Sequence, residues 1–294
     1  MRKLVLTSFL FVFIFFHSSA QVADTAFVSV RYMLKHIMDT TQPENPLISN
    51  MVLYVGKNMT QYTRDTRQQT GGGNVVVSDI AIRGATVSAG SISNIGAMPM
   101  QAGNSPFASL GSYYKDMNTS KMSVMQFAGG KVFSVEEKTP AINWTITQEA
   151  KEIQGLQCQK ATGYFKGRDY DAWFCSSLPY SNGPWKFGGL PGLIIEVADT
   201  KKEVVFQFVS YENIMENPPV IAIPATAVKT TLKEFKQYQD ALERDREAAR
   251  TNNSSVVAGG VMTFRGTLSA GTVGSDGKPR KIRQMNNPIE KTDK

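Results

Sequence analysis

The chain has 294 residues, with 32 Lys and Arg against 25 Asp and Glu, for a net charge of +7. This length is enough for one large domain or two small ones. The positive excess is mild and comes without the dense basic face or motifs of nucleic-acid-binding proteins, so nucleic acid is excluded as an expected partner.

Residues 1–20 have the three zones of a secretory signal peptide. Met1-Arg2-Lys3 is basic, residues 4–16 are apolar, and Ser18-Ser19-Ala20 offers the small residues that a signal peptidase recognises. We predict cleavage between Ala20 and Gln21. The apolar run is too short for a membrane span, and no second long run follows. We therefore expect an exported protein with no transmembrane span, in the periplasm or outside the cell, with an association with the outer membrane left open.

The first part of the mature chain predicts strands at 27–34 and 50–55, joined by the polar loop 39–46, and a short strand at 60–63. Residues 69–112 then change character, because glycines punctuate small residues and charges are rare. This composition predicts a flexible Gly/Ser-rich insertion.

Two apolar runs, 122–127 and 131–135, flank Gly129-Gly130 and predict a tight hairpin, since both glycines can adopt positive φ. Residues 142–147 alternate as a further strand. The polar stretch 148–154 is expected to be a bend.

The clearest hairpin joins 156–165 to 170–175 through a turn at Lys166-Gly167. Pairing about this turn sets Phe165 opposite Arg168, Lys160 opposite Trp173, and Cys158 opposite Cys175. The two cysteines then fall at a non-hydrogen-bonded pair, where facing Cα atoms lie about 4.5 Å apart. That separation suits a disulfide, so we predict one between Cys158 and Cys175.

Residues 183–197 read GPWKFGGLPGLIIEV. Leu190-Pro191-Gly192-Leu193 has the pattern of a type II turn, in which Pro presets φ and Gly supplies the positive φ that follows. The stretch lacks the Lys-Ser/Thr of a phosphate-binding loop, so no nucleotide site is predicted. We predict a structural crossing that places Trp185 and Phe187 against the core.

A second hairpin follows, with a four-residue turn predicted at Asp199–Lys202. This register places Leu193, Ile195 and Val197 opposite Phe208, Phe206 and Val204, so that all six share a buried face. A helix capped by Thr230 or Thr231 is predicted to run to about Arg250, and Leu232, Phe235, Tyr238 and Leu242 form its apolar stripe.

We therefore divide the mature chain into one antiparallel β domain with a helix, residues 21–250, and a largely disordered basic tail, residues 251–294. Two apolar islands of the tail, 261–264 and Pro288-Ile289, are expected to dock on the domain.

Several sequence blocks match a known pattern, and together they cover 144–197 closely and the rest of the mature chain loosely. They are Cys158-Gln159-Lys160-Ala161, Gly167-Arg168, Ala172-Trp173, Gly183-Pro184-Trp185-Lys186-Phe187, the hexapeptide Gly189-Leu190-Pro191-Gly192-Leu193-Ile194, and Asn286-Asn287-Pro288-Ile289-Glu290. With these blocks the chain resembles the GLPGLI family of secreted proteins of Bacteroidota. The resemblance implies a protein of the cell envelope or its exterior. It implies no catalytic residues, because the family has no established biochemical function.

The inventory of reactive side chains is small. The mature chain has one histidine, His36, and paired cysteines would leave a zinc site without ligands, so we predict no catalytic residue, metal or cofactor. Asp169, Asp171 and Glu196 are the best-placed acids for the alternative function, a carboxylate-dependent hydrolase.

Lys160, Trp173, Trp185 and Lys186 lie near one another in sequence or across the proposed hairpin, and they form our candidate binding surface. The fold expected is mainly β: a curved, half-barrel-like antiparallel sheet, with the helix on its concave side or across one edge; a β-sandwich is the alternative. The function expected is binding or assembly in the cell envelope, with a protein partner or an apolar ligand covering the concave face.

Overall fold

The computed structural model describes residues 23–66, 111–255 and 286–291, with the backbone alone at 249–255. These ranges contain thirteen strands and one helix, and all the strands belong to one curved sheet that does not close. The predicted signal peptide, insertion residues 69–110 and tail residues 256–285 lie outside the described residues. Of the last two residues of the predicted insertion, which the structure describes, Ser112 is buried, and its hydroxyl lies 2.7 Å from that of Thr63.

The elements follow one another along the chain without a second sheet. They are β1 (Ala23–His36), β2 (Leu47–Gly56), β3 (Met59–Arg64), β4 (Tyr113–Asp116), β5 (Lys121–Ala128), β6 (Lys131–Lys138), β7 (Trp144–Ile153), β8 (Leu156–Phe165), β9 (Arg168–Cys175), β10 (Leu193–Asp199), β11 (Val204–Asn213), β12 (Val220–Ala222), β13 (Val228–Thr231) and the helix α1 (Leu232–Ser255).

The order across the sheet is β13-β6-β5-β4-β3-β2-β1-β11-β10-β9-β8-β7, and β12 pairs with the start of β1. All pairings are antiparallel except that of β13, which runs parallel to β6. The prediction of a mainly β protein with a curved sheet and a C-terminal helix is confirmed, and the β-sandwich alternative is wrong. The parallel strand β13 was not predicted.

The hairpin of β8 and β9 has the predicted register. Phe165 pairs with Arg168 and Lys160 pairs with Trp173. The Cα atoms of Cys158 and Cys175 lie 4.3 Å apart, and the two residues form a disulfide. This prediction is therefore confirmed.

Residues 148–154 do not form the predicted bend. Strand β7 runs from Trp144 to Ile153, and the irregularity is confined to its pairing with β8, where the register shifts between Ile146 and Ala150. The stretch is polar because β7 is an edge strand, and charged side chains and bulges are usual features of sheet edges.

The register predicted for β10 and β11 is shifted by two residues. Val197 pairs with Phe206, not with Val204, because the turn consists of residues 200–203. A shift of two keeps every side chain on its face. The apolar residues Leu193, Ile195, Val197, Val204, Phe206 and Phe208 are accordingly all buried.

The segment between β9 and β10, residues 176–192, fills the concave side of the sheet; we call it the crossing. Its Phe187 is fully buried, with ring centroids 4.9 Å from Tyr170 and 5.7 Å from Phe206. Trp185 stacks on Phe206 at 6.2 Å. The predicted placement of Trp185 and Phe187 in the core is confirmed, and the crossing occupies the space in which a ligand was expected.

The crossing ends in a tighter turn than the predicted type II turn. The N–H of Gly192 donates to the carbonyl of Leu190 at 2.8 Å, which closes a three-residue turn about Pro191. The N–H of Leu193 bonds instead to the carbonyl of Leu178 at 2.9 Å. The predicted positive φ at Gly192 is confirmed, with a value of 152°.

Helix α1 begins with a reciprocal cap. The N–H of Glu234 donates to Thr231 Oγ1, and the N–H of Thr231 donates to the Glu234 carboxylate at 2.9 Å. The helix packs across one edge of the sheet, where Phe235 and Tyr238 contact Phe133. Leu232 was predicted to belong to the apolar stripe, but it is 42% exposed, so this part of the prediction is wrong.

Candidate binding surfaces

The four residues of the predicted binding surface do not lie together. Lys160 and Trp173 are cross-strand neighbours on the outer face of β8 and β9, opposite to the buried Ala161 and Ala172. Trp185 and Lys186 belong to the crossing, where they are only 4% and 5% exposed. The structure thus divides the predicted surface into an outer site and an inner one.

The outer site is a groove of about 370 Å³ over β9, β10 and β11; we call it the outer groove. Trp173 provides its aromatic wall. Charged, polar and apolar residues make up the rest of the lining: Lys151, Asp171, Glu196, Val197, Ala198, Lys202, Val205, Phe206 and Gln207.

The outer groove lies where the sheet separates. In the described chain, β10 and β11 pair only at Val197–Phe206 and Ala198–Val205. Beyond that point the crossing takes over the hydrogen-bonding groups of β10, because the N–H of Ile194 donates to the carbonyl of Asn182 at 2.8 Å. Residues 207–213 of β11 therefore pair with a strand on the β1 side alone.

Charges of both signs surround Trp173. The ammonium of Lys151 lies 4.3 Å from the ring centroid and 2.7 Å from a carboxylate oxygen of Glu196. On the neighbouring strand, Lys160 lies 3.2 Å from Asp171, and the hydrogen bonds to Asp171 and Glu149 raise its pKa. Such partly exposed ion pairs contribute little to stability, so a partner can replace them at small cost.

The inner site binds the end of the described chain, residues 286–291; we call this site the tail socket. Its centre is Arg168, whose side chain is 2% exposed. One terminal nitrogen, Nη1, lies 2.5 Å from Asp199 and 2.9 Å from Glu203. The other groups face the tail: Nη2 donates to Asn287 Oδ1 and to the Pro288 carbonyl, and Nε donates to the Ile289 carbonyl at 3.2 Å.

The end of β1 and the loop that follows it form the second side of the tail socket. His36 Nε2–H donates to the carbonyl of Asn287 at 2.7 Å, and the Asn287 amide donates to the carbonyl of Ile37 at 2.7 Å. The backbone N–H of Asn287 bonds to Met38 at 3.1 Å. Burial lowers the pKa of His36, and the nearby Arg168 lowers it further. His36 thus holds the tail from a buried position, with its pKa lowered.

Lys186 from the crossing forms the third side. Its ammonium lies 2.7 Å from Glu290 of the tail and 3.0 Å from Glu137 of β6. Burial by itself lowers the pKa of Lys186, but the two carboxylates outweigh it, so the pKa is raised. The side chain of Ile289 packs against the main core, which confirms the expected docking of Pro288-Ile289.

A second lysine is buried with no carboxylate of the described residues in contact with it. Lys115 of β4 is 4% exposed, and its ammonium donates to the carbonyl of Phe187 at 2.5 Å. Burial lowers its pKa to about 7. Together with Trp144, whose indole N–H donates to Gly188 at 2.9 Å, it ties the crossing to the sheet.

Sequence reasoning missed the tail socket. It treated Arg168 as a turn residue, although the blocks that contain Arg168, Lys186 and Asn287 all appear in the family resemblance. Within the described ranges, no group of three or more His, Cys, Asp and Glu residues is placed to hold a metal ion. The acids Asp171 and Glu196 are ion-paired with lysines, and no observation favours a hydrolase. No described helix is long and apolar enough to cross a membrane.

Part of the chain matches a protein family of unknown function. Residues 165–196 match the family described as "Protein of unknown function (Porph_ging)". The matched residues include Arg168, Trp173 and Lys186, and hence parts of both binding surfaces. No curated protein matches the chain.

Two solved structures of PNGF-II, in space groups P21 and C2, are similar to this chain. Sequence identities are 12% and 10%, with TM-scores of 0.47 and 0.44. The alignments cover 74% and 73% of this chain but only 33% and 32% of PNGF-II, so this chain spans about a third of that protein. At these values the likeness carries no inference about function.

Proposed function

We propose that this chain is an exported protein of the cell envelope with a binding or assembly role, and that its outer groove binds an extended segment of a protein partner. The observation that carries the proposal is the separation of β10 from β11 beside Trp173. The GLPGLI resemblance supports an envelope location.

Export is supported by the disulfide between Cys158 and Cys175. Disulfides persist in oxidising compartments such as the periplasm and the exterior of the cell. The basic, apolar and small-residue zones of residues 1–20 agree with that location.

A protein partner is favoured over an apolar ligand because of what fills the concave face. Phe187, Trp185 and Leu190 of the crossing are buried there. The outer groove instead places Trp173 among lysines and acids, above the buried Phe206. This arrangement is typical of protein interfaces, where a large aromatic residue is surrounded by polar groups.

An extended segment suits the backbone of the groove. Strand β11 continues to Asn213, although its pairing with β10 ends at Phe206. A strand edge of this kind accepts a further strand through main-chain hydrogen bonds, while side-chain pockets provide selectivity. Trp173, with Lys151 and Glu196 beside it, would provide that selectivity.

Affinity capture from the native envelope tests the proposal. Wild-type protein, Trp173→Ala, Trp173→Phe and the surface control Glu44→Lys are used as baits, and bound proteins are quantified by mass spectrometry. We expect one envelope protein to be enriched at least tenfold with the wild type, with Trp173→Phe and with the control, and to be lost with Trp173→Ala. The same bound proteins with wild type and Trp173→Ala, or none with either, would contradict the proposal. Lipid extracted with the wild type alone would replace the protein partner by an apolar ligand.

A further inference from the structure

We propose that the tail socket is a peptide-recognition site for residues 286–291, and that it accepts this segment from a second copy of the chain. This inference concerns a different surface from the outer groove and does not depend on it. It rests on three features of the socket: acids of the domain itself pair with its charges, it binds the segment through many specific groups, and either copy of the chain can supply a segment that makes these contacts.

The socket is organised by the domain itself. Asp199 and Glu203 hold one nitrogen of Arg168, and Glu137 holds Lys186. The remaining donors of both side chains point at the tail. Because acids of the domain restrain both side chains, fewer side-chain rotamers have to be ordered on binding, which favours affinity.

The socket distinguishes a particular sequence. Three successive carbonyls, those of Asn287, Pro288 and Ile289, each accept a hydrogen bond from His36 or Arg168. The side-chain amide of Asn287 accepts a hydrogen bond from Arg168 through Oδ1 and donates one to the carbonyl of Ile37 through Nδ2. Proline at the next position restricts the segment to few conformations, which reduces the entropy lost on binding.

The segment also carries its own charge pairs. Glu290 reaches Lys186 at 2.7 Å, and Lys291 lies 3.6 Å from Glu203. The N–H of Lys291 donates to the carbonyl of Lys166 at 3.0 Å. Opposite charges at successive positions therefore fix the direction in which the segment lies.

Chain connectivity permits exchange. Helix α1 ends at Ser255 and the docked segment begins at Asn286, which leaves the 30 residues 256–285 between them. A chain of that length reaches at most about 100 Å when fully extended. The contacts described above come from the end of β1 and its following loop, the β8–β9 turn with the start of β9, the crossing and Glu203, and none comes from α1. The segment of a neighbouring copy can therefore make the same contacts.

A complementation experiment with two full-length variants tests this inference. The tail variant, Asn287→Ala with Ile289→Asp, keeps an intact socket and loses its own segment. The socket variant, Arg168→Gln, keeps an intact segment and cannot bind it. We expect each variant alone to be monomeric, and a 1:1 mixture to form a heterodimer by light scattering. A mixture that stays monomeric, or single variants that dimerise equally well, would overturn the inference.

A second socket variant keeps the test decisive if Arg168→Gln does not fold. A Cβ on Gly167 would lie 2.6 Å from the Lys291 side chain, so Gly167→Ala obstructs the segment and leaves the buried acids paired. Fluorescence anisotropy of a labelled peptide of residues 284–294 gives an independent readout. The peptide should bind the folded tail variant at least tenfold more tightly than the same peptide with Asn287→Ala. Equal binding of the two peptides, or no binding, would overturn the inference.

Discussion

Gly192 lies against the carbonyl group of Cys175, so closely that a Cβ at position 192 would be 2.4 Å from that oxygen. The same Cβ would lie 2.7 Å from the Cys175 carbonyl carbon and 2.9 Å from the Cα of Ser176. The disulfide ties Cys175, at the end of β9, to Cys158 on β8. Neither strand can therefore move freely away from position 192. The end of the crossing is therefore compatible only with glycine.

Gly192→Ala should lower the free energy of unfolding by roughly 3 kcal/mol, through backbone strain and overpacking. Gly155→Ala is the matched control: its φ is also positive, at 81°, but no atom lies within 4 Å of the added Cβ. Strain alone should cost about 1 kcal/mol there. Urea unfolding measures both, and equal losses would show that the close approach to Cys175 does not matter.

Loss of the disulfide should lower the free energy of unfolding, by an amount that grows with the logarithm of the length of the closed loop. The cysteines are 17 residues apart, for which the chain-entropy model gives about 3 kcal/mol. The double variant Cys158→Ala/Cys175→Ala should show this loss in denaturant unfolding. Thiol titration of the unreduced, denatured wild type should detect no free thiol, and two thiols per chain would refute the bond.

Lys115 should make stability depend on pH between about 7 and 9. Its pKa is lowered from 10.5 to about 7 in the folded protein, so across this range the unfolded chain binds a proton that the folded protein does not. Unfolding then takes up a proton, and stability rises with pH, by at most about 1.4 kcal/mol per unit.

Lys115→Met is the comparison that isolates this effect. Its free energy of unfolding should vary less with pH than that of the wild type between pH 7 and 9. Buried tyrosines such as Tyr32 and Tyr170, whose pKa values are raised by burial, affect stability only near pH 10, where the unfolded chain ionises. Parallel pH curves for the two proteins would rule out a neutral Lys115.

Asn287→Ala should weaken the docking of the tail and lower global stability by about 2 kcal/mol, because it leaves Arg168 Nη2 and the carbonyl of Ile37 with one partner fewer. Asn286→Ala is the control. Asn286 is exposed and accepts hydrogen bonds from Thr40 alone among the contacts described, so its loss should cost less than 0.5 kcal/mol, as at most surface positions. Thermal unfolding that ranks the two variants in the opposite order would contradict the described tail socket.

Local patterns were enough to predict the hairpin and its disulfide. The Lys166-Gly167 turn determines the register of β8 and β9, and the register brings Cys158 and Cys175 together. The buried face of β10 and β11 was also predictable, because a two-residue shift leaves the alternation of side chains unchanged.

The partners of Arg168 could not be predicted in this way. Asn287 lies 119 residues further along the chain, and no periodicity connects positions so distant. The parallel pairing of Val228–Thr231 with β6 is similarly non-local, and four residues are too few to show a strand pattern. The outer groove depends on where β10 leaves β11, which is decided by a hydrogen bond between Ile194 and Asn182 of the crossing.

The most direct test of the central claim is site-specific photo-crosslinking at the outer groove in cells that make this protein. Gln207→p-benzoylphenylalanine places the photoreactive group in the groove, and Glu44→p-benzoylphenylalanine places it on an exposed loop elsewhere. The account predicts one crosslinked envelope protein from position 207, none of it from position 44, and loss of the crosslink when Trp173→Ala is added. No crosslink at position 207, or one that survives Trp173→Ala in a folded protein, would contradict it.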